Sequence, residues 1–476
     1  MRVLFIQNMA VESFGFMYLS SVLKEEGHEC DVLIENDTEK IVRYLKKGKF
    51  DVAAFSPTSF TRKWVFDTAE QIKNETDCVV TVGGSQPTYY PENIDLDSID
   101  YACRGESEEA YKELINRLEK GEDTSNIENI WTKRNGEVIK NPLRNLKENL
   151  DELPYPDRDL YYDKYSYLKK WGVRRFITGR GCPFNCSFCF TNLQRKIYKG
   201  KGNFVRKRSP QDVIDEIKYV KKNYRTKIVS FFDNILTYDK EWLREFLKKY
   251  KEQIELPFVG NTHPSTITFK DIEMLKEAGC RGLYMGIETF NQELRNKILN
   301  KDINNHEIKR KVLKMRQEGI KVFFYNMFGI PGENFEDLIK SIKFNIEAKA
   351  DYANCTILNP LPKTDFTKWC IEEGYLEPDY DEKDLIQSNT SFFRNSKLKI
   401  NDKEAISNMA RLFPLAVQFP RSLGLLIKIA KNARNEKLKN ILKIVHEFSA
   451  NLSQFRFYDM NIFSALKIYL KNRAVS

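Results

Sequence analysis

Residues 179–189 read Gly-Arg-Gly-Cys-Pro-Phe-Asn-Cys-Ser-Phe-Cys, and three thiols spaced C-x3-C-x2-C in one short loop constrain this chain more than any other feature. Thiolates at such density hold a metal. Cys182, Cys186 and Cys189 are too few to close a tetrahedral zinc site, and no fourth Cys or His follows nearby. A [4Fe–4S] cube accepts three cysteines and leaves one iron open to another ligand. The alternatives are three unrelated thiols or an unusual zinc knuckle. The chain's nine cysteines, scattered apart from this trio, make no disulfide framework at a length of 476 residues, which fits a reducing cytoplasm and, for an oxygen-labile cluster, an anaerobic setting.

That length accommodates two or three domains, and 41% hydrophobic with 13% aromatic residues suffices for large cores. The opening Val3-Leu4-Phe5-Ile6 reads as a buried strand rather than a signal peptide, and no apolar run is long enough to span a bilayer. Strands and helices then alternate. A helix over Phe16–Glu26 is closed by Gly27, and further strands are expected at 31–34, 52–56, 78–82 and 101–103. Such alternation predicts a doubly wound parallel sheet over residues 1–125, binding ligands at the carboxyl ends of its strands. No G-x-G-x-x-G follows the first strand, which disfavours a dinucleotide. Residues 126–165 are polar and then proline-bearing, as in Leu153-Pro154-Tyr155-Pro156, and read as a linker.

From 166 to 375 the α/β alternation resumes. Strands are expected at 175–178, 228–232, 256–261, 280–289 and 322–328, and Ser209-Pro210 caps a helix between the first two. Residues 376–476 carry helical periodicity at 422–431, 438–448 and 462–470. The 15 Lys/Arg and 5 Asp/Glu from Lys397 onward hold the whole net charge of +10, so the remainder is neutral. The plainer reading of this region is a small helical domain with a solvated basic face. The sharper one is a peripheral contact with anionic membrane lipid. No nucleic-acid role is expected, because no RNA-binding fold is legible.

The cysteine loop, with an aromatic residue before its last Cys, resembles the radical S-adenosylmethionine superfamily, and the resemblance extends from residue 1 to about 375. It implies an α/β chain with an N-terminal Rossmann-like cobalamin-binding domain, a central partial (β/α)6 barrel and a mainly helical C-terminal region. Cys182, Cys186 and Cys189 would hold the cluster, with S-adenosylmethionine chelating the open iron and Phe188 against its adenine. Asp233 and Asn234, in a loop like the superfamily's F-x-D-[DN]-x-x-T, would face the ammonium. Glu288, in a G-x-x-x-G-I-E-[ST] match, would accept from the ribose hydroxyls, and Lys301 would meet the methionine carboxylate. The turn Gly329-Ile330-Pro331-Gly332 and the segment Pro360-Leu361-Pro362-Lys363-Thr364 resemble later motifs of these barrels, with Lys363 where relatives have glycine. In the N-terminal domain, Ser56, Thr58, Gly83 and Gly84 lie in loops similar to those that cradle cobalamin, whereas Asn8 to Ser13 holds no histidine for cobalt.

The implied activity is a cobalamin-dependent methyltransferase acting, through a 5′-deoxyadenosyl radical, on an unactivated carbon of a small-molecule, peptide or lipid substrate. It would need an electron donor such as flavodoxin or ferredoxin. A radical cyclase or carbon–carbon coupling enzyme would share these domains. A non-enzymatic iron–sulfur or corrinoid-binding protein is the reading from another class. His263 and His306 are assigned no role.

Overall fold

The computed structural model describes residues 1–94, 97–386 and 396–458, so the helix expected over 462–470 lies outside the described residues. The chain divides into two compact units. One comprises Met1–Trp171 and Ile197–Phe204, and the other Gly172–Lys196 and the described residues from Val205 onward.

The first unit runs β1 (Arg2–Gln7), α1 (Phe14–Glu25), β2 (Glu29–Ile34), α2 (Thr38–Gly48), β3 (Val52–Phe55), α3 (Arg62–Glu75), β4 (Val79–Val82), α4 (Ser85–Tyr89), β5 (Tyr101–Cys103), α5 (Glu108–Lys120), β6 (Ile130–Arg134), β7 (Glu137–Lys140), α6 (Asp159–Tyr162) and α7 (Ser166–Lys170). Its seven-stranded sheet has the order β2-β1-β3-β4-β5-β6-β7. The first five strands are parallel and the last two antiparallel. Val3 to Ile6 are at most 1% exposed, as befits a strand covered on both faces. Gly27, at φ +86°, closes α1: its N–H donates to Lys24 O and that of His28 to Leu23 O.

The stretch read as a linker, 126–165, supplies β6 and β7 to this sheet. Asn135 and Gly136 both have positive φ between them, the conformation that a two-residue hairpin with native twist demands. The Asn-Gly pair was a legible hairpin signal, hidden by the polar strands on either side of it.

In the second unit β8 (Val173–Phe176) leads to a short β9 (Gly179–Arg180), the cysteine loop and α8 (Phe190–Ile197). Then come β10 (Arg206–Lys207), α9 (Pro210–Asn223), β11 (Ile228–Phe231), α10 (Lys240–Gln253), β12 (Phe258–Thr262), α11 (Phe269–Glu277), β13 (Cys280–Glu288), α12 (Gln292–Lys297), α13 (Asn305–Gln317), β14 (Lys321–Phe328), α14 (Phe335–Glu347) and β15 (Tyr352–Ile357). β8, β11, β12, β13, β14 and β15 pair in that order, all parallel, and β8 and β15 do not pair with each other. This is a partial (β/α)6 barrel. Helices α15 (Asp365–Glu372), α16 (Glu382–Ile386), α17 (Lys403–Gln418), α18 (Leu423–Asn432) and α19 (Glu436–Phe457) complete the described chain.

No helix is expected from the sequence where α17 stands, and α17 carries Pro414 in its interior. Proline reads as a helix breaker because it lacks an N–H and clashes with the preceding turn. Here α17 packs on β15 and α14, and its Phe413 and Pro414 are buried, so tertiary burial overrides the local preference. α18 and α19 pack on α17 in turn.

The end of α19 closes the concave side of the sheet. The fully buried Phe457 ring lies 4.6 Å from Tyr284, 5.8 Å from Phe323 and 6.2 Å from Tyr352. The Tyr458 hydroxyl is 3.4 Å from Ser230 Oγ on β11. Two consecutive residues reach strands on both sides of β12 only because the sheet curls around them. Gly282 leaves the room: a Cβ there would meet the Phe457 ring at 2.4 Å. Burying one such ring contributes about 2–3 kcal/mol.

Candidate functional site

The cysteine loop emerges at the carboxyl end of β8 and is stapled from two sides. Arg195 of α8 donates to the carbonyls of Cys182 and Phe184 and to Asn185 Oδ1. On the other side Ser187 N–H and Oγ–H donate to the carbonyls of Leu299 (3.0 Å) and Ile298 (2.6 Å), and Asn300 Nδ2 donates to Asn185 O (2.8 Å). The loop is therefore locked to the segment that leads into Lys301. All three thiols are partly exposed, and burial pushes that of Cys186 up to about 11 against the pull of Lys301. Among the described residues no three His, Cys, Asp or Glu side chains gather closely enough to hold one metal ion. A [4Fe–4S] cube takes three cysteines and leaves one iron open, so the donor set, three partly exposed thiols on one locked loop, fits the cluster.

Glu288 ends β13 after a register shift, and its φ of +61° is a left-handed conformation rare for a residue with a side chain. The twist turns its carboxylate onto Lys301 Nζ at 2.6 Å, both groups being buried. A Cβ at Gly286 would stand 2.5 Å from Glu288 Oε1 and 2.9 Å from Lys301 Nζ, so only glycine admits the pair. Two residues that sequence reasoning missed hold this turn. Arg295, fully buried, donates to Thr289 O (2.6 Å), to Ile303 O and to Asn305 Oδ1 (2.8 Å). Glu333, whose carboxyl burial pushes up to about 7, accepts from Thr289 Oγ1 and from the Ile330 N–H. No motif could have found Arg295; Glu333 stood inside the Gly-x-Pro-Gly-Glu turn.

Asp233 is buried and bonded within the fold. Its carboxylate accepts from the Thr178 N–H and Oγ–H and pairs with the buried Lys207 Nζ at 3.2 Å. That network ties β8 to the β9–β10 hairpin through Asp233 Oδ1, and among the described residues Oδ2 shares only the Thr178 N–H (3.1 Å). Asn234 Nδ2 donates to Gly181 O (3.2 Å), just ahead of Cys182. Phe188 is half-buried beside an apolar cluster that contains Leu299, Ile330, Leu358 and Phe366.

His263 follows β12 and stacks on Phe184 of the cysteine loop, with ring centres 3.9 Å apart. Its Nδ1 accepts from the Ser265 N–H, which places the ring proton on Nε2, and Nε2 has no partner among the described residues. Burial, with Lys301, Arg295 and Lys311 nearby, pulls its pKa from 6.5 down to about 3. Between those values the unfolded chain binds a proton that the folded chain refuses, so stability falls as the pH drops through the window. Urea unfolding of the metal-free protein should show a loss on the order of 3 kcal/mol between pH 7 and pH 4 from this group. His263→Phe, which keeps the stack, should flatten that slope; an unchanged slope would refute the assignment.

In the first unit the structure brings Ser56 and Gly84 together as exposed neighbours. Gly84 has φ +83°, and a Cβ on it would meet Ser56 Oγ at 2.5 Å. Gly83 N–H donates to Phe55 O (2.9 Å), and Thr58 is half-buried, its N–H donating to Thr61 Oγ1 (2.9 Å) and its hydroxyl 3.2 Å from the same atom. In the loop after β5, Gly105 admits no side chain, because a Cβ would strike the Tyr198 hydroxyl that accepts from the Glu106 N–H. A cradle that a Cβ would fill, at the carboxyl ends of parallel strands, fits a large flat ligand.

The model of the radical SAM superfamily matches residues 176–344, and that of the B12 binding domain matches residues 9–115. An uncharacterized methyltransferase of Pyrococcus horikoshii is 31% identical over 76% of this chain and 79% of its own. Cytidylyl-2-hydroxyethylphosphonate methyltransferase of Streptomyces wedmorensis is 23% identical over 77% of this chain and 79% of its own. The structure of the radical S-adenosylmethionine methyltransferase TsrM from Kitasatospora setae, with cobalamin and a [4Fe-4S] cluster bound, superposes with a TM-score of 0.64 at 17% identity, covering 78% of this chain and 75% of that one. The chain belongs to the radical SAM superfamily, in the group whose barrel is preceded by a B12-binding domain, and it is an enzyme of that group.

Proposed function

We propose that this chain is a cobalamin-dependent radical S-adenosylmethionine methyltransferase acting on an unactivated carbon. The observation that carries the reading is one chain holding both a B12-binding domain and a cysteine loop locked to the Glu288–Lys301 pair. Cys182, Cys186 and Cys189 would hold a [4Fe–4S] cluster, and Ser56, Thr58, Gly83 and Gly84 would line the cobalamin cradle. Bound there, the cluster would supply the electron that cleaves S-adenosylmethionine to a 5′-deoxyadenosyl radical, and cobalamin the methyl group.

The chain's own residues position and enclose. The Lys301 ammonium is a cation for the methionine carboxylate, and Glu288 an acceptor for ribose hydroxyls. Phe188 offers an aromatic face to the adenine, beside Ile330 and Leu358. Asp233 and Asn234 would face the ammonium. Locked loops and buried charges keep this geometry without reorganisation. An external electron donor, such as flavodoxin or ferredoxin, is required.

The test is anaerobic. Protein expressed with hydroxocobalamin and reconstituted with iron and sulfide should retain a corrinoid with a base-off spectrum, since the loop after β1 has no histidine. With S-adenosylmethionine and dithionite it should release 5′-deoxyadenosine. Deoxyadenosine without any corrinoid would move the assignment to a cobalamin-free radical enzyme, and no deoxyadenosine would remove the enzymatic reading.

The basic C-terminal region would meet anionic lipid at a membrane surface. No helix among the described residues is long and apolar enough to cross a membrane. α19 nevertheless exposes Ile441, Ile444 and Phe448, each at least half-exposed, within one sector of about 60°. That sector lies roughly opposite the buried Leu442, His446 and Ser453, and exposed Lys437 flanks it. Co-sedimentation with phosphatidylglycerol vesicles should fall about tenfold in Ile441→Asp/Phe448→Asp and in high salt, and equal binding to phosphatidylcholine alone would argue against it.

A further inference from the structure

Gln86 is the second residue of α4, two positions after Gly84. Its side chain is 1% exposed, and neither Oε1 nor Nε2 has a hydrogen-bond partner among the described residues. The surrounding backbone is satisfied. Gln86 N–H donates to Pro57 O (3.3 Å), in the loop after β3, and its carbonyl accepts from the Tyr90 N–H (2.9 Å). Thr88, two residues on, donates its hydroxyl to Gly84 O (2.5 Å) and accepts from the Gly105 N–H (2.8 Å), in the loop after β5. The turn that carries Gln86 is thus bonded to the loops on both sides while its amide is left with nothing.

A desolvated carboxamide lacking both donor and acceptor contacts destabilises the chain that contains it. An apolar residue of similar volume would pack there without that penalty. Both halves of the amide are orphaned together, so the matching group presents an acceptor and a donor side by side. A primary carboxamide does this, closing two N–H···O bonds with another of its kind. The rim of a corrin macrocycle bears such groups.

We propose that Gln86 pairs with a peripheral primary carboxamide of the bound corrinoid. The inference rests on the corrinoid reading of the first unit and adds to it a recognition residue for the ring. Gly84 and Ser56 give the ring room, and Gln86 recognises the amides at its edge.

The test uses the full chain as wild type and as Gln86→Leu, both expressed without corrinoid. Thermal midpoints of the corrinoid-free proteins are compared, and each is titrated by equilibrium dialysis with aquocobalamin and with cobinamide, which keeps the ring amides but lacks the nucleotide. Gln86→Leu should bind both corrinoids about tenfold more weakly, the equivalent of two neutral hydrogen bonds. Its midpoint should be unchanged or higher. Unaltered affinity overturns the proposal. A loss seen with cobalamin but not cobinamide also does, since it would place the contact at the nucleotide. Weaker binding with a lowered midpoint means that Gln86 is a structural residue. Wild type that binds neither corrinoid removes the corrinoid reading and this inference together. Wild type that binds both, with no change in the variant, removes the inference alone.

Discussion

Alanine at any one of Cys182, Cys186 and Cys189 is expected to abolish 5′-deoxyadenosine formation and to cut the iron retained after anaerobic reconstitution from about four per chain to below one. The size of the effect follows from the loop. It offers three thiolates and no fourth ligand, so no neighbour can replace a missing one. Arg195 and the Leu299 and Ile298 carbonyls hold the backbone where it is, so the loop cannot re-form around two cysteines. Alanine at Cys280 or Cys370, both buried outside the loop, should leave iron and turnover intact. The measurements are ferrozine iron and deoxyadenosine by chromatography. Full activity in any single loop variant would end the cluster assignment.

Arg295→Met is expected to cost about 3–5 kcal/mol of stability and most of the affinity for S-adenosylmethionine. The guanidinium is fully buried and bonds three backbone carbonyls, those of Ile287, Thr289 and Ile303, and one amide oxygen, so it holds the chain on either side of Glu288. Methionine fills comparable volume but leaves those acceptors desolvated. The left-handed Glu288 would then lose what holds it against a conformation most residues avoid. Arg295→Lys should not rescue, because one ammonium cannot reach partners arranged as a fork. Urea unfolding gives the stability and equilibrium dialysis the affinity. A loss below about 1 kcal/mol with normal binding would show that the turn holds itself.

What could be read along the chain is what local chemistry decides. Three thiols within eight residues form a metal-ligand pattern contained in one loop, and apolar quartets such as Val3–Ile6 are buried, so the cysteine loop and the parallel strands were legible. Glycine 27 ends a helix for a reason contained in its own backbone. Strand ends moved by a residue or two, because pairing partners set them: β8 starts at Val173, opposite Ile228.

The tertiary structure decided whatever depends on residues far apart in the sequence. Asp233, in a loop that matched a binding motif, is also bonded to Thr178 and Lys207. Pro414 lies inside a helix because β15 and α14 bury that helix. Phe457 fills the barrel more than 150 residues after Gly282 made room for it. Arg295, His263 and Gln86 carry no local pattern at all. Their meaning lies in which hydrogen bonds they make or lack, and a polar atom is known to be satisfied or orphaned only once the fold has placed its neighbours.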